Sequence, residues 1–209
     1  MKKIILIGGG GHCRACIDVI RSTKHYEIVG ILDTTDALGS SVLSVPVIGT
    51  DEDILTLSTS VDAFFISIGH VHSSERRKQL FDYLKDNGLS LATIVSPLAY
   101  VAEGVSIGEG SIVMHQALLN TNAVVSDNCI VNSKALIEHD ARLGSHSHLS
   151  TAAIINGEST VGSACFVGSN AVVNLGLEIT DNVNIASSSL VTKSIHEPGV
   201  YKGVPVSKT

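Results

Sequence analysis

His139 lies in the run Ile137-Glu138-His139-Asp140, and His146 and His148 follow it closely. An imidazole that titrates near neutral pH can take a proton from a reacting group. A neighbouring carboxylate fixes its tautomer and stabilises the imidazolium. The same cluster offers ligands for zinc, which is the rival reading of these residues. A second candidate site opens the chain. Gly8 to Gly11 precede His12, after an apolar run and before a helical pattern. Such a turn presents backbone N–H groups and a helix N-terminus to a phosphate. Gly8 and Gly10 fit the first two glycines of G-x-G-x-x-G, but Cys13 stands where the third belongs. Asp33 closes the next strand, where a carboxylate would hold a ribose hydroxyl. An NAD enzyme would look like this locally, and a tight turn without ligand is the plain alternative. Cys13 and Cys16 form a C-x-x-C, yet no second pair follows. They read as small buried residues of the helix rather than as a redox or metal motif.

These residues need elements to carry them. Residues 3–8 read as a buried parallel strand and 12–24 as a helix. Residues 27–32 form the next strand, which completes a βαβ unit. A short strand over 45–49 and a short helix over 51–58 follow, the helix opened by Asp51, Glu52 and Asp53. Residues 61–68 form another buried strand closed by Gly69, and 73–87 a charged amphipathic helix stopped by Asn87-Gly88. Fewer than 95 residues make up this part, about half of a full dinucleotide fold, so a mononucleotide or nucleotide-sugar suits it better.

From Val95 to Val191 an aliphatic residue recurs at every sixth position, 17 times in succession. At the chain's apolar frequency, chance gives such a run roughly once in a million registers. A second column of small residues runs from Ser111 through Ala117, Ala123 and Cys129 to Ala171. A period of six is neither helix nor simple strand. It suits stacked coils of short flat segments, with the aliphatic residue at the centre and the small one where the chain bends inward. Gly157 follows His139 by 18 residues and so lies directly above it when three segments make a coil. His139 and His148 then fall on different faces, which weakens the zinc reading. Cys129 and Cys165 lie two coils apart, about 10 Å at ~4.8 Å per coil, beyond the ~7 Å reach of a disulfide. The chain divides into an α/β domain over 1–90, a solenoid over 95–195 and a tail over 196–209.

Composition excludes several classes. Net charge is −6 with no basic stripe, which argues against nucleic acid. No apolar run reaches the length of a membrane span. Met1-Lys2-Lys3 and the apolar run after it break into glycines without a cleavage site, so a cytoplasmic protein is expected. His25, His70 and His72 read as solvated loop residues, although His70 follows a strand end and could touch a ligand. Arg76 and Arg77 read either as phosphate contacts or as a solvated helix face.

The stretch from Ile137 to Ser150, the opening Ile7 to His12, Leu32-Asp33, Phe64 to His70 and the closing Gly199 to Pro205 resemble the nucleotide-sugar N-acetyltransferases of the PglD/NeuD type. These are hexapeptide-repeat acyltransferases. The resemblance covers nearly the whole chain. It implies a mainly β protein, a small Rossmann-like domain followed by a left-handed parallel β-helix. The handedness rests on the resemblance, since general crossover rules favour the right hand. It implies acetyl-CoA as cosubstrate without a metal, and an amino-deoxy sugar on UDP, dTDP or GDP as acceptor, in bacterial surface glycan (lipopolysaccharide) biosynthesis. His139 is implied as the base and Asp140, where the family often has Glu, as its support. His148, Gly157, Gly203, Val204 and Pro205 are implied beside acetyl-CoA. Gly8, Gly10, Gly11, His12, Asp33, Gly69 and His70 are expected at the nucleotide sugar. A homotrimer with the site between subunits is implied as well. O-acetylation of a sialic acid-like sugar would use the same base.

Overall fold

The computed structural model describes all residues from 1 to 209. The first domain is a five-stranded sheet of order β3-β4-β2-β1-β5. Its strands are β1 (Lys2–Ile7), β2 (Tyr26–Leu32), β3 (Ser41–Val42), β4 (Val45–Gly49) and β5 (Ala63–Ile66). The strands run parallel except for the hairpin of β3 with β4. Helix α1 (Gly11–Thr23) follows β1, and α3 (Glu75–Asp86) follows β5, with the short α2 (Ile54–Leu57) between β4 and β5. β1 is buried from Ile4 to Ile7, because α1 covers one face of the sheet and α3 the other. Lys24 ends α1 in a left-handed conformation with φ 58°. Ser73 Oγ accepts from the Glu75 N–H at the start of α3.

From Ile94 onward the chain winds as a left-handed parallel β-helix. Two-residue strands stack into three sheets with a register of 18 residues, as in Leu118 against Leu136. The second residue of each strand points inward. Leu119, Ile137, Ile155 and Val173 form one such row, fully buried. Ala117, Ala135, Ala153 and Ala171 fill the column where the coils narrow. Serines in the equivalent column remain satisfied, since Ser111 and Ser147 donate to carbonyls of the next coil at 2.8 Å. The cysteines are free, and Cys129 and Cys165 do the same through Sγ at 3.1 and 3.2 Å.

Nearly every corner turns through a left-handed residue. These include Asn122, Asn128, Asp140, His146 and Asn170, all with φ between 54° and 61°. Asn and Asp tolerate this conformation better than most residues.

The three outer faces differ. The six-stranded sheet presents Tyr100, Leu118, Leu136, Ile154, Val172 and Leu190 outward, an unbroken apolar ladder. The five-stranded sheet presents Ser106, Val124, Arg142, Thr160 and Glu178. The remaining sheet is covered by the first domain. Its Ile94, Ile112 and Ile130 share one core with Cys13, Cys16, Ile17 and Ile20 of α1. Residues 196–209 extend this covered sheet. Gly199–Gly203 pairs parallel with Val183–Ile185, and Val206–Lys208 folds back antiparallel on it.

Candidate active site

The glycine turn between β1 and α1 forms the floor of a cavity of about 450 Å³. Gly8, Gly9, Gly10, Gly11, His12, Asp33, Ser67 and Gly69 line it. Asp33 Oδ2 accepts from the Gly9 N–H at 3.0 Å and Oδ1 from the Thr34 N–H at 2.8 Å. A Cβ at Gly9 would lie 2.5 Å from Asp33 Oδ2, so the carboxylate can approach only a bare backbone. No side chain caps α1 and no acidic residue occupies its first turn. The Cys13 N–H donates to the Gly10 carbonyl at 3.1 Å, which leaves the N–H groups of Gly11 and His12 open to an anion. A second cavity of about 490 Å³ continues past Asp33 along Thr34, Thr35 and Asp51.

Behind this turn the two domains meet through histidines. The His148 ring lies 5.4 Å from that of His70, 6.2 Å from that of His12 and 5.3 Å from the Phe166 ring. His148 Nδ1 donates to the His70 carbonyl at 2.7 Å, and Nε2 meets Asn132 Nδ2 at 3.2 Å. His12 Nε2 and both ring nitrogens of His70 are buried without a partner. Burial lowers all three imidazoles, His12 and His70 to about 3 and His148 to about 4. His70 is therefore no solvated loop residue. The strand end that precedes it carries it under the covering domain.

Arg77 is likewise no solvated helix residue, being 1% exposed. Its guanidinium donates to the carbonyls of Ile66 and Ile68 at 2.8 and 2.6 Å and to Asn128 Oδ1 at 2.7 Å. One residue earlier on α3, and so turned about 100° around the helix, Arg76 pairs with Asp51 at the surface. The helical spacing alone did not separate these two neighbours, because it could not say which face of α3 meets the solenoid.

His139 occupies a different place, the corner between the six- and five-stranded sheets. Its Nδ1 lies 3.1 Å from Asp140 Oδ2. The hydrogen bond to Asp140 raises the imidazole above its ordinary pKa, and the same bond, then one from Asn122, lowers the Asp140 carboxyl. With Nδ1 donating to the carboxylate, Nε2 keeps its lone pair. It faces Gly157 one coil above, where a Cβ would lie 2.6 Å away. A cavity of about 510 Å³ opens there along Glu138, Asn156, Asn174, Leu175 and Thr192. Glu138 accepts from Asn120 Nδ2 at 2.7 Å and from the His139 N–H at 3.2 Å. Asn120, Asn122 and Asn132 carry no signal of their own in the sequence. The first two stand 18 residues before Glu138 and Asp140, and that spacing is what pairs them.

The structure thus gathers the expected residues into separate groups. Gly8, Gly10, Gly11, His12, Asp33 and Gly69 share one cavity, with His70 and His148 at the domain seam behind His12. His139, Asp140 and Gly157 form another group on a different corner. Gly203, Val204 and Pro205 make the turn of the terminal hairpin, and the Gly203 N–H donates to Ser189 Oγ at 3.2 Å. No group of three or more His, Cys, Asp or Glu side chains is arranged to hold a metal ion.

Residues 3–84 match the family model of the PglD N-terminal domain. No sequence among the curated proteins matches the chain. Among solved structures, the chain is similar to the acetyltransferase domain of PglB from Neisseria gonorrhoeae. Identity is 25%, the TM-score is 0.93, and 100% of both chains is covered. The same domain in complex with acetyl coenzyme A gives 25% identity and a TM-score of 0.92, covering 100% of this chain and 99% of that one. PerB from Caulobacter crescentus, in complex with CoA and GDP-perosamine, gives 29% identity and a TM-score of 0.91, over 100% and 98% of the two chains.

Proposed function

We propose, for a hexapeptide-repeat sugar acetyltransferase whose first domain belongs to the PglD N-terminal domain family, that it moves the acetyl group of acetyl-CoA to the amine of a nucleotide-linked amino-deoxy sugar. The observation that carries this reading is His139, oriented by Asp140 through Nδ1 with its Nε2 turned to an open cavity under Gly157. The sugar amine attacks the thioester carbonyl and loses a proton to Nε2. The C–S bond then breaks, and the departing CoA sulfur takes up that proton. The thioester is already activated, so the step needs neither metal nor covalent enzyme intermediate. Residues 1–90 hold the nucleotide sugar: Asp33 takes the nucleoside end, while Gly8, Gly10, Gly11 and His12 take the diphosphate. Gly69 and His70 border the sugar. Residues 95–195 carry the base and, along Gly157 and the coils above it, acetyl-CoA. Residues 196–209, with Gly203, Val204 and Pro205, close the cofactor end.

The nucleotide cavity lies beside the covered sheet, whereas His139 lies on the opposite corner of the same solenoid. One chain therefore does not bring them together. The apolar ladder from Tyr100 to Leu190 supports a homotrimer in which the His139 corner of one copy faces the first domain of its neighbour. His148, 7% exposed at the domain seam, reaches acetyl-CoA only across that subunit boundary. CoA release against a panel of UDP-, dTDP- and GDP-linked amino sugars tests the reading. Release with a sialic acid-like hydroxyl acceptor and with none of the amines would replace it by O-acetylation.

A further inference from the structure

The two oxygens of Asp140 have different partners. Oδ2 faces His139 Nδ1, and Oδ1 accepts from Asn122 Nδ2 at 3.2 Å. Asn122 occupies the same corner one coil below, with φ 59°. A carboxylate only accepts, so the Asn122 amide must turn its NH₂ upward. Its oxygen then points down, onto Gly104, where a Cβ would lie 2.3 Å from Asn122 Oδ1. Gly104, Asn122 and Asp140 thus form a column of three coils that ends on the imidazole. Asp140 is half exposed and its carboxylate would otherwise rotate among waters. A second hydrogen bond on Oδ1 removes that freedom and leaves Oδ2 aimed at Nδ1.

We propose that Asn122 is a positioning residue for the acyl transfer. Its side-chain amide holds Oδ1 of Asp140 so that Oδ2 keeps His139 in the base tautomer, and Gly104 leaves the space in which that amide sits. The inference rests on His139 as general base. Nothing about Asn122 requires contact with either substrate, so its effect belongs in kcat and not in KM.

The test is a mutant cycle with pH profiles on the full-length enzyme. Alanine already occupies left-handed corners at Ala152 and Ala164, so the backbone accepts Asn122→Ala and Asp140→Ala. Asn122→Ala should lower kcat roughly fivefold to tenfold, the rate equivalent of one ordinary hydrogen bond. Both KM values should stay within about twofold. In an Asp140→Ala background the same change should cost nothing further. Asn122→Asp keeps the shape, loses the donor and adds a carboxylate. It should also lower kcat, and it should move the rising limb of kcat/KM to higher pH. Wild-type kcat in Asn122→Ala, or an equal loss with and without Asp140, overturns the proposal. Should Asn122→Ala fail to fold, the isosteric Asn122→Asp decides, and wild-type kcat with an unmoved limb overturns it. His139→Ala is measured alongside. If that variant stays active the base itself is misassigned, an outcome separate from failure of Asn122.

Discussion

At the scale of single residues, His139 carries the sharpest expectations. His139→Ala should lower kcat by roughly 10²–10⁴, the usual worth of a positioned general base, with little change in KM. Steady-state kinetics with both substrates varied checks this, and retention of more than about a third of kcat would remove the role. Because Asp140 holds the imidazole above its ordinary pKa, the active neutral form is gained as pH rises through that raised value. Asp140→Asn removes the charge that raises it. The rising limb of kcat/KM should then move to lower pH. The mutant profile must be compared with wild type, since the substrate amine titrates too. Gly157→Ala is a test of space. Its backbone is not left-handed, so stability should hold, but the new methyl group would push the imidazole out of place. A displacement near 1 Å can cost about 10² in rate. Unchanged activity in that variant, read beside an unchanged melting curve, would mean that His139 does not work where it stands. Asp33→Ala should instead raise KM for the nucleotide sugar alone.

At the scale of elements, the seam between the domains is built from groups that dislike charge. His12, His70 and His148 stay neutral because burial lowers them to about 3, 3 and 4, and the cation Arg77 adds to the effect. The unfolded chain binds protons at these histidines near pH 6.5, whereas the folded one does so only near 3–4. Their stabilising contribution is complete above about pH 6.5 and is lost progressively as pH falls toward 3–4. Melting curves taken from pH 7.5 to 5 should shift steadily downward, and His70→Gln should flatten the shift. A melting temperature independent of pH in that window would contradict the buried neutral state. Arg77 joins the end of β5 to the solenoid corner at Asn128. Arg77→Met should cost on the order of 2–4 kcal/mol, since it strands several buried acceptors. It should also raise KM for the nucleotide sugar, because the carbonyls it holds lead directly into Gly69.

At the scale of the whole molecule, the outer faces of the solenoid have been divided by chemistry. One is covered by the first domain, one is mixed and polar, and one is an apolar ladder of six residues in six coils. Tyr100 remains 62% exposed on that ladder, more than an isolated chain would favour for an aromatic ring beside leucine. Light scattering should give the mass of three chains at micromolar protein. Leu118→Glu with Ile154→Glu should shift it toward one chain, since charges placed on a buried face are costly. Such a variant should lose acetyl transfer while keeping nucleotide-sugar binding by calorimetry. A fully active monomer would sink the shared site.

The aliphatic period of six determined the solenoid, because a residue that fills the axis must return once per segment, and a run of 17 such returns fits neither a helix nor one strand. The glycines of the first turn and Asp33 were legible for a similar local reason, as backbone conformation and strand end are short-range properties. His139 and Gly157 could be stacked from their spacing of 18 alone. The left-handed corners were not foreseen, since Asn, Asp and His look like ordinary polar residues until the turn is seen. Only the tertiary structure decided which strand faces are covered. That buried Arg77, turned His70 inward against His148, and placed the glycine-turn cavity and His139 on different sides of one chain. Burial of a polar residue depends on what packs over it from elsewhere in the sequence. A period within one segment carries no record of that distant partner.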